Sequence, residues 1–284
     1  MDISGKTRLK GLLGHPISHS LSPKMHNSAF ANLGLEYAYL TFDTKEDNLE
    51  DVVAAMRALN VKGFNVTMPN KKNILNLLDE VTPEAQMIGS INTVLNENGR
   101  LIGYNTDGKG YVRSLVEKGV SIEGKRIVMA GAGGAARSVA IQLAVDGAKE
   151  MVILNRSLEK AEDICNVIQK NISTCKTEAL QLEENILKEK LKETDIFINS
   201  TALGMHPHED KSVISNPDML HHNLIVTDLI YKPSKTKLLQ MAEQAGCKVI
   251  NGLGMMIWQG AEAFKIWTGV DMPVDYIKSE VFPE

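Results

Sequence analysis

The stretch GFNVTMPNK, residues 63 to 71, is an apolar, β-branched run that breaks at Pro69 and delivers an ammonium group, Lys71, into a turn. Lysines are almost never buried unpaired, so Lys71 taken alone reads as a solvated turn residue. Two other loops, SHSLSP and YNTDGKG, carry small hydrogen-bonding side chains where a loop more often shows mixed charge. Each is also a good turn sequence. Together the three segments supply neutral donors, an acid in Asp107 and a base in Lys71, the inventory for holding a polyhydroxylated ligand and moving one of its protons.

A fourth segment brings different chemistry. Gly131, Gly133 and Ala136 match the form G-x-G-x-x-A, directly after a strand-like run and opening a helix-like one. The first glycine permits the tight turn, and the second lets a pyrophosphate approach the N–H groups of a helix N-terminus. Small residues also pack well at any strand-to-helix turn, and the βαβ context is what favours nucleotide binding. Where a protein specific for NAD places an acidic residue, at the end of the second strand, this chain has Asn155 and Arg156, with Lys160 close behind. An amide followed by a guanidinium suits a 2′-phosphate and favours NADP over NAD. Arg156 as the cap of a solvated loop is the plainer alternative.

These groups need elements to position them. Strand-like runs alternate with helix-like ones over most of the length, the pattern of an α/β protein with parallel strands and helical crossovers. A short strand at Leu9 to Leu13 leads into the serine loop, and a helix follows from Pro23 toward Leu33 with Ser22 as its N-cap. Further strands are expected at AYLTFDT and GFNVTMP, and helices at DNLEDVVAAMRALN and KNILNLLDEV. INTVLNENGRLIGYNTDG reads as a hairpin turning at Glu97, Asn98 and Gly99. From Lys125 a βαβ unit begins, with later strands at DIFINST and LIVTDLIY, a polar helix from Glu159 to Asn171, and a closing helix from Gly254 to Thr268.

The whole chain sets outer bounds. At 284 residues it is long enough for about two domains, each with its own core. With 31 basic and 35 acidic side chains and a net charge of -4, it has no electrostatic footprint for nucleic acid or an anionic membrane, and a small-molecule substrate is the better expectation. Cys165, Cys175 and Cys247 are odd in number and in no C-x-x-C spacing, which fits a reducing cytoplasm. No signal sequence or membrane-length apolar run is visible. None of the seven histidines, including the pairs His206/His208 and His221/His222, has the spacing of a known zinc pattern, so no metal is expected.

Read in order, GHPISHSLSPKMHN, GFNVTMPNK, GSINT, GYNTDGKG, GAGGAA, NRS, DLIYKP and NGLGMMIWQGAEAF cover nearly the whole chain, and together they resemble the shikimate/quinate dehydrogenase family. The resemblance implies an N-terminal α/β substrate-binding and catalytic domain, residues 1–107 plus 254–284. It also implies a Rossmann-type doubly wound NADP-binding domain, residues 108–253, with the C-terminal helix returning to the first. It implies reversible reduction of 3-dehydroshikimate to shikimate with NADPH, in aromatic amino-acid biosynthesis. Lys71 would be the catalytic group, paired with Asp107. Ser20, Ser22 and Tyr231 would hold the substrate carboxylate, and Asn92, Thr67, Gln259 and Asp107 the ring hydroxyls. Gly131, Ala132, Gly133, Gly134 and Ala135 would cradle the pyrophosphate. Asn155, Arg156 and Lys160 would face the 2′-phosphate, and Leu229 and Gly252 the nicotinamide. A homodimer is compatible with the resemblance.

Substrate choice turns on the extra hydroxyl of quinate. The methyl of Thr67 would crowd it and favours shikimate, by roughly 1 to 3 kcal/mol for a single methyl. Tyr39 points the other way, because a tyrosine there resembles the broader-specificity branch. An NAD-preferring quinate dehydrogenase is therefore the second enzyme reading. A catalytically silent NADP-binding sensor is the reading outside enzymes, and it would have no use for Lys71 and Asp107.

Overall fold

The computed structural model describes residues 3–283. The chain divides into two compact units, one reaching to Thr106 and taken up again at Trp258, the other running from Asp107 to Ile257.

In the first unit the elements are β1 (Arg8–Gly14), α1 (Ser22–Asn32), β2 (Tyr37–Asp43), α2 (Leu49–Ala58), β3 (Gly63–Val66), β4 (Glu80–Val81), α3 (Pro83–Ile88), β5 (Thr93–Glu97) and β6 (Arg100–Tyr104). The six strands form one mixed sheet in the order β2-β1-β3-β5-β6-β4. β1 lies parallel between β2 and β3, whereas β5 runs antiparallel to both β3 and β6. The hairpin is where expected. Asn98 and Gly99 both take positive φ, 54° and 96°, the conformation a two-residue turn requires.

Side chains alternate across the sheet, so β3 sends Phe64 and Val66 to one face and Asn65 to the other. On the first face they join Leu13, Val53, Met56, Ile74 and Val94 in an aliphatic core. The opposite face carries stacked rings. His26 lies 4.5 Å from Tyr39 at 15° and 6.2 Å from Phe264 at 9°. Trp267 sends its indole N–H to the Val94 carbonyl at 2.9 Å, and a Cβ on Gly63 would overlap that indole.

One expected helix is not there. KNILNLLDEV, expected to be helical, forms only a short 3₁₀ turn at Asn73–Leu77 before the chain joins the sheet as β4. Its apolar residues have helical spacing, but Asp79 is claimed from outside the segment. Its carboxylate accepts from the Arg57 guanidinium at 2.6 Å and from the Leu101 N–H at 2.7 Å, which draws the chain to β6.

The second unit contains α4 (Asp107–Glu117), β7 (Arg126–Ala130), α5 (Gly134–Val145), β8 (Glu150–Asn155), α6 (Leu158–Asn171), β9 (Lys176–Gln181), α7 (Glu184–Leu191), β10 (Ile196–Asn199), β11 (Ile225–Asp228), α8 (Lys237–Gln244) and β12 (Lys248–Ile250). All six strands are parallel, in the order β12-β11-β10-β7-β8-β9. That is a doubly wound sheet whose order reverses between β7 and β10, the place where such sheets bind ligands. β9 and β12, the two edge strands, are ones that periodicity did not reveal, because β9 is largely polar and β12 spans only three residues. The last helices are α9 (Leu253–Thr268) and α10 (Val274–Val281), and the division between the units falls inside α9. Among the described residues no helix is long and apolar enough to cross a membrane, and no cluster of side chains could hold a metal ion.

The ring-lined face of the first sheet also holds a lysine. Lys10 is fully buried; its ammonium donates to the Lys62 carbonyl at 3.1 Å and sits 4.7 Å from the Tyr37 ring centre and 5.4 Å from that of Trp267. Burial, with a lesser contribution from the Lys62 charge, pushes its pKa from 10.5 down to about 7. Between those two values the unfolded chain holds a proton that the folded chain has released, so stability rises with pH across that window. We expect urea midpoints between pH 7 and 8.5 to correspond to a gain of up to about 1.4 kcal/mol per pH unit from this group. Lys10→Met should flatten that slope, and an unchanged slope in the variant would refute the assignment to Lys10.

Candidate active site

In the first unit the polar side chains converge on Asn92, which is 3% exposed at the head of β5. Its Oδ1 accepts from the Thr106 N–H at 2.8 Å and the Thr93 hydroxyl at 3.0 Å, and its Nδ2 donates to the Thr106 hydroxyl at 2.9 Å. Thr106 in turn donates to the main-chain carbonyl of Gln259 at 2.9 Å, and the Gln259 side chain lies 3.5 Å from Asn92 Nδ2. Asn65 reaches the same cluster from β3, donating to the Asn92 carbonyl at 3.0 Å and the Thr93 hydroxyl at 3.1 Å. Of the residues expected from sequence, Asn92 and Gln259 therefore come together. Asn65 and Thr106 were missed. An amide within the apolar run GFNV was the available signal, because a buried amide must be hydrogen-bonded to something specific.

Tyr39 belongs to this cluster in a different way from the one expected. It has no exposed surface, and its hydroxyl donates to Asn65 Oδ1 at 2.7 Å. Burial raises its pKa, opposed by a side-chain hydrogen bond with Ser22. Tyr39 thus bears on the Asn92 cluster through Asn65.

The loop that carries Lys71 is pinned at several points. The Thr67 N–H donates to the Leu13 carbonyl at 2.8 Å, and the Lys71 carbonyl accepts from Ile91 at 2.8 Å. Between them Asn70, fully buried, donates its side-chain amide to the Thr44 carbonyl at 2.7 Å. A Cβ on Gly14 would overlap the Thr67 methyl, so that methyl is held against the end of β1. Lys71 itself is half-buried. Ser20 and Ser22 are also half-buried, and the Ser20 hydroxyl accepts from the Ser22 N–H at 3.2 Å. The expected N-cap is displaced by one residue: Ser22 is the first residue of α1 and Leu21 precedes it as the cap.

The second unit assembles its site at the carboxyl ends of the strands. Gly131 follows β7 with φ of 105°, and a Cβ there would overlap Ser200, which follows β10. A side chain is excluded on both counts. Ala132 is half-buried, while Gly133, Gly134 and Ala135 are exposed, and nothing lies within 4 Å of where a Cβ would stand on either glycine. The start of α5 therefore lies open, with the free N–H groups of its first turn available to an anion. Arg156 and Lys160 are exposed beyond β8, whereas the Asn155 amide is engaged with the Ser157 carbonyl at 2.9 Å. These residues fit a dinucleotide carrying a 2′-phosphate: an open glycine turn, two cations and no acid at the end of β8.

Leu229 and Gly252 meet, since a Cβ on Gly252 would overlap the Leu229 carbonyl. The strand ends there are held by Asp228, which sequence reasoning passed over. Its carboxylate accepts from Thr236 at 2.8 Å, the Ile230 N–H at 3.0 Å and Asn199 at 3.1 Å. Burial raises its pKa, and those three donors oppose the shift. Tyr231, just beyond, is 41% exposed. Asp107 is 8% exposed at the start of α4.

Three family models match the chain in order. They are the shikimate dehydrogenase substrate binding domain over residues 12–94, shikimate / quinate 5-dehydrogenase over 114–229, and the shikimate 5′-dehydrogenase C-terminal domain over 252–282. A shikimate dehydrogenase (NADP(+)) of Alkaliphilus metalliredigens is 66% identical, covering 97% of this chain and 96% of its own length. Among solved structures, the shikimate 5-dehydrogenase of Listeria monocytogenes in complex with shikimate and NAD superposes with a TM-score of 0.97 at 48% identity, covering 99% of each chain. A quinate dehydrogenase from Corynebacterium glutamicum in complex with NAD gives a TM-score of 0.88 at 27% identity, covering 96% of this chain and 98% of the other. With three family models matching in sequence order and relatives at 66% and 48% identity matching nearly end to end, the chain belongs to the shikimate dehydrogenase family.

Proposed function

We infer that the protein is an NADP-dependent shikimate dehydrogenase, reducing 3-dehydroshikimate to shikimate reversibly in aromatic amino-acid biosynthesis. The observation that carries this reading is the near full-length similarity to a relative of that name, 66% identical over 97% of the chain. In this reading the first unit is the substrate-binding and catalytic domain and the second binds the dinucleotide. NADPH, when bound, supplies the hydride.

The chain's own residues do the rest. Lys71, on its pinned loop, gives a proton to the carbonyl oxygen during reduction and takes it back during oxidation, and holding that loop in place makes the transfer a local event. Asp107, Asn92, Thr67 and Gln259 bind the ring hydroxyls. The hydroxyls of Ser20 and Ser22, with Tyr231, hold the carboxylate. Arg156 and Lys160 bind the 2′-phosphate, the group that separates NADP from NAD, while the turn from Gly131 to Ala135 receives the pyrophosphate. Leu229 and Gly252 line the nicotinamide site.

Quinate remains the competing substrate, because one relative of similar fold is a quinate dehydrogenase with NAD bound. The methyl of Thr67, held at Gly14, supports shikimate. Steady-state kinetics with shikimate and quinate, each with NADP and NAD, separate the two; a higher kcat/KM for quinate with NAD would reverse the assignment.

Two substitutions test the roles. Lys71→Ala should lower kcat by roughly 10²- to 10⁴-fold, the usual contribution of a positioned acid–base group, while NADP affinity measured by fluorescence titration stays within about twofold. Near-normal turnover would remove Lys71 from the chemistry. Arg156→Ala should weaken NADP by roughly 10- to 100-fold, as for loss of a charge-assisted hydrogen bond, and NAD by under about threefold. Equal losses for both cofactors would show that Arg156 does not read the phosphate.

A further inference from the structure

β2 is an edge strand of the first sheet, and at Tyr39 its outward main-chain groups are both taken by one side chain from α1. Asn27 accepts from the Tyr39 N–H at 2.8 Å and donates to the Tyr39 carbonyl at 2.9 Å, in the manner of a neighbouring strand. Two more residues of α1 reach the same tyrosine. His26 stacks on its ring at 4.5 Å, and the Ser22 hydroxyl opposes the rise that burial gives the pKa of its phenol. Positions 22 and 26 are four apart and share one helix face, with 27 adjoining it. Tyr39 then crosses β1 to donate to Asn65, which holds the Asn92 carbonyl and the Thr93 hydroxyl.

We propose that Asn27 is a positioning residue for substrate recognition: it fixes α1, and with it the hydroxyls of Ser20 and Ser22, at a set spacing from the Asn65–Asn92 cluster. The proposal rests on the reading of these residues as the substrate-binding groups. Protecting a sheet edge would need only that the strand's free groups be covered. Here the covered residue is the one that connects the serine loop to the Asn92 cluster. One side of the site offers hydroxyl donors suited to a carboxylate, the other offers amides and hydroxyls suited to ring hydroxyls, and a rigid cyclic substrate must meet both at once. An error in their spacing cannot be taken up by the ligand and costs binding.

Asn27→Asp keeps the size and the acceptor for the Tyr39 N–H, but removes the donor and sets a carboxylate oxygen against the Tyr39 carbonyl. The expected result is a rise of about tenfold in KM for shikimate, with kcat and the KM for NADP within about twofold, and faster hydrogen exchange at the amides of Ser20 to Ser22 with α5 unchanged. Asn27→Ala, which removes both bonds to the Tyr39 main chain and adds no charge, should shift the same KM in the same direction and serves if Asn27→Asp fails to fold. A lowered Tm with an unchanged KM for shikimate and unchanged exchange at those amides would overturn the proposal. Failure of the wild-type protein to oxidise shikimate would remove the substrate reading instead, and the exchange rates would then decide whether Asn27 holds the serine loop.

Discussion

A carboxamide removed from water is held best when both its ends are paired, and in the first unit Asn92 is paired at both. Leaving one end unmatched costs roughly 1–3 kcal/mol, a large fraction of a domain's net stability. Thr106 answers both ends at once, with its N–H on Oδ1 and its hydroxyl on Nδ2. The hydroxyl then reaches the Gln259 carbonyl, so the pairing of one amide fixes the exit of the hairpin against α9. Asn65 and Tyr39 extend the same bonding to β3 and β2. The cluster consists almost entirely of neutral donors and acceptors, which suits recognition of hydroxyl groups because no buried charge has to be compensated.

Charge is managed differently in the second unit. Asp228, its most deeply buried carboxylate among the described residues, is given three donors and holds the strand ends. Elsewhere the unit is open: Gly133 and Gly134 leave the start of α5 bare, and Arg156 and Lys160 stand exposed beyond β8. Gly131 fills a geometric need at the point where the strand order reverses, since both its φ and its contact with Ser200 exclude a Cβ.

Much of this was legible in the sequence. The hairpin was legible because Asn98-Gly99 is a local signal whose geometry needs no partner, and the βαβ unit because its glycines sit at fixed offsets from a strand. The stretch from Asn73 to Val81 misled, since its helical spacing was overruled by the Arg57 and Leu101 partners of Asp79, which lie far away in sequence. Tyr39 was recognisable as special but not as a buried link, because a tyrosine that touches a ligand and one that braces a neighbour look the same in a list of residues. Lys10 gave no sign at all; nothing in RLKGLLG tells an exposed ammonium from one enclosed by Tyr37, Trp267 and the Lys62 carbonyl.

By itself, the sequence determined which chemical groups are present and which local geometries they can adopt: the glycine turn, the hairpin, the missing acid after β8, the lysine at the end of the GFNV strand. Those depend on neighbours in the chain, through backbone sterics and side-chain type. Only the tertiary structure decided which polar groups are satisfied by one another. Pairs such as Asn27 with Tyr39, Asn65 with Asn92 and Asn70 with Thr44 form between distant segments, and hydrogen bonding is too directional for composition or periodicity to foresee it.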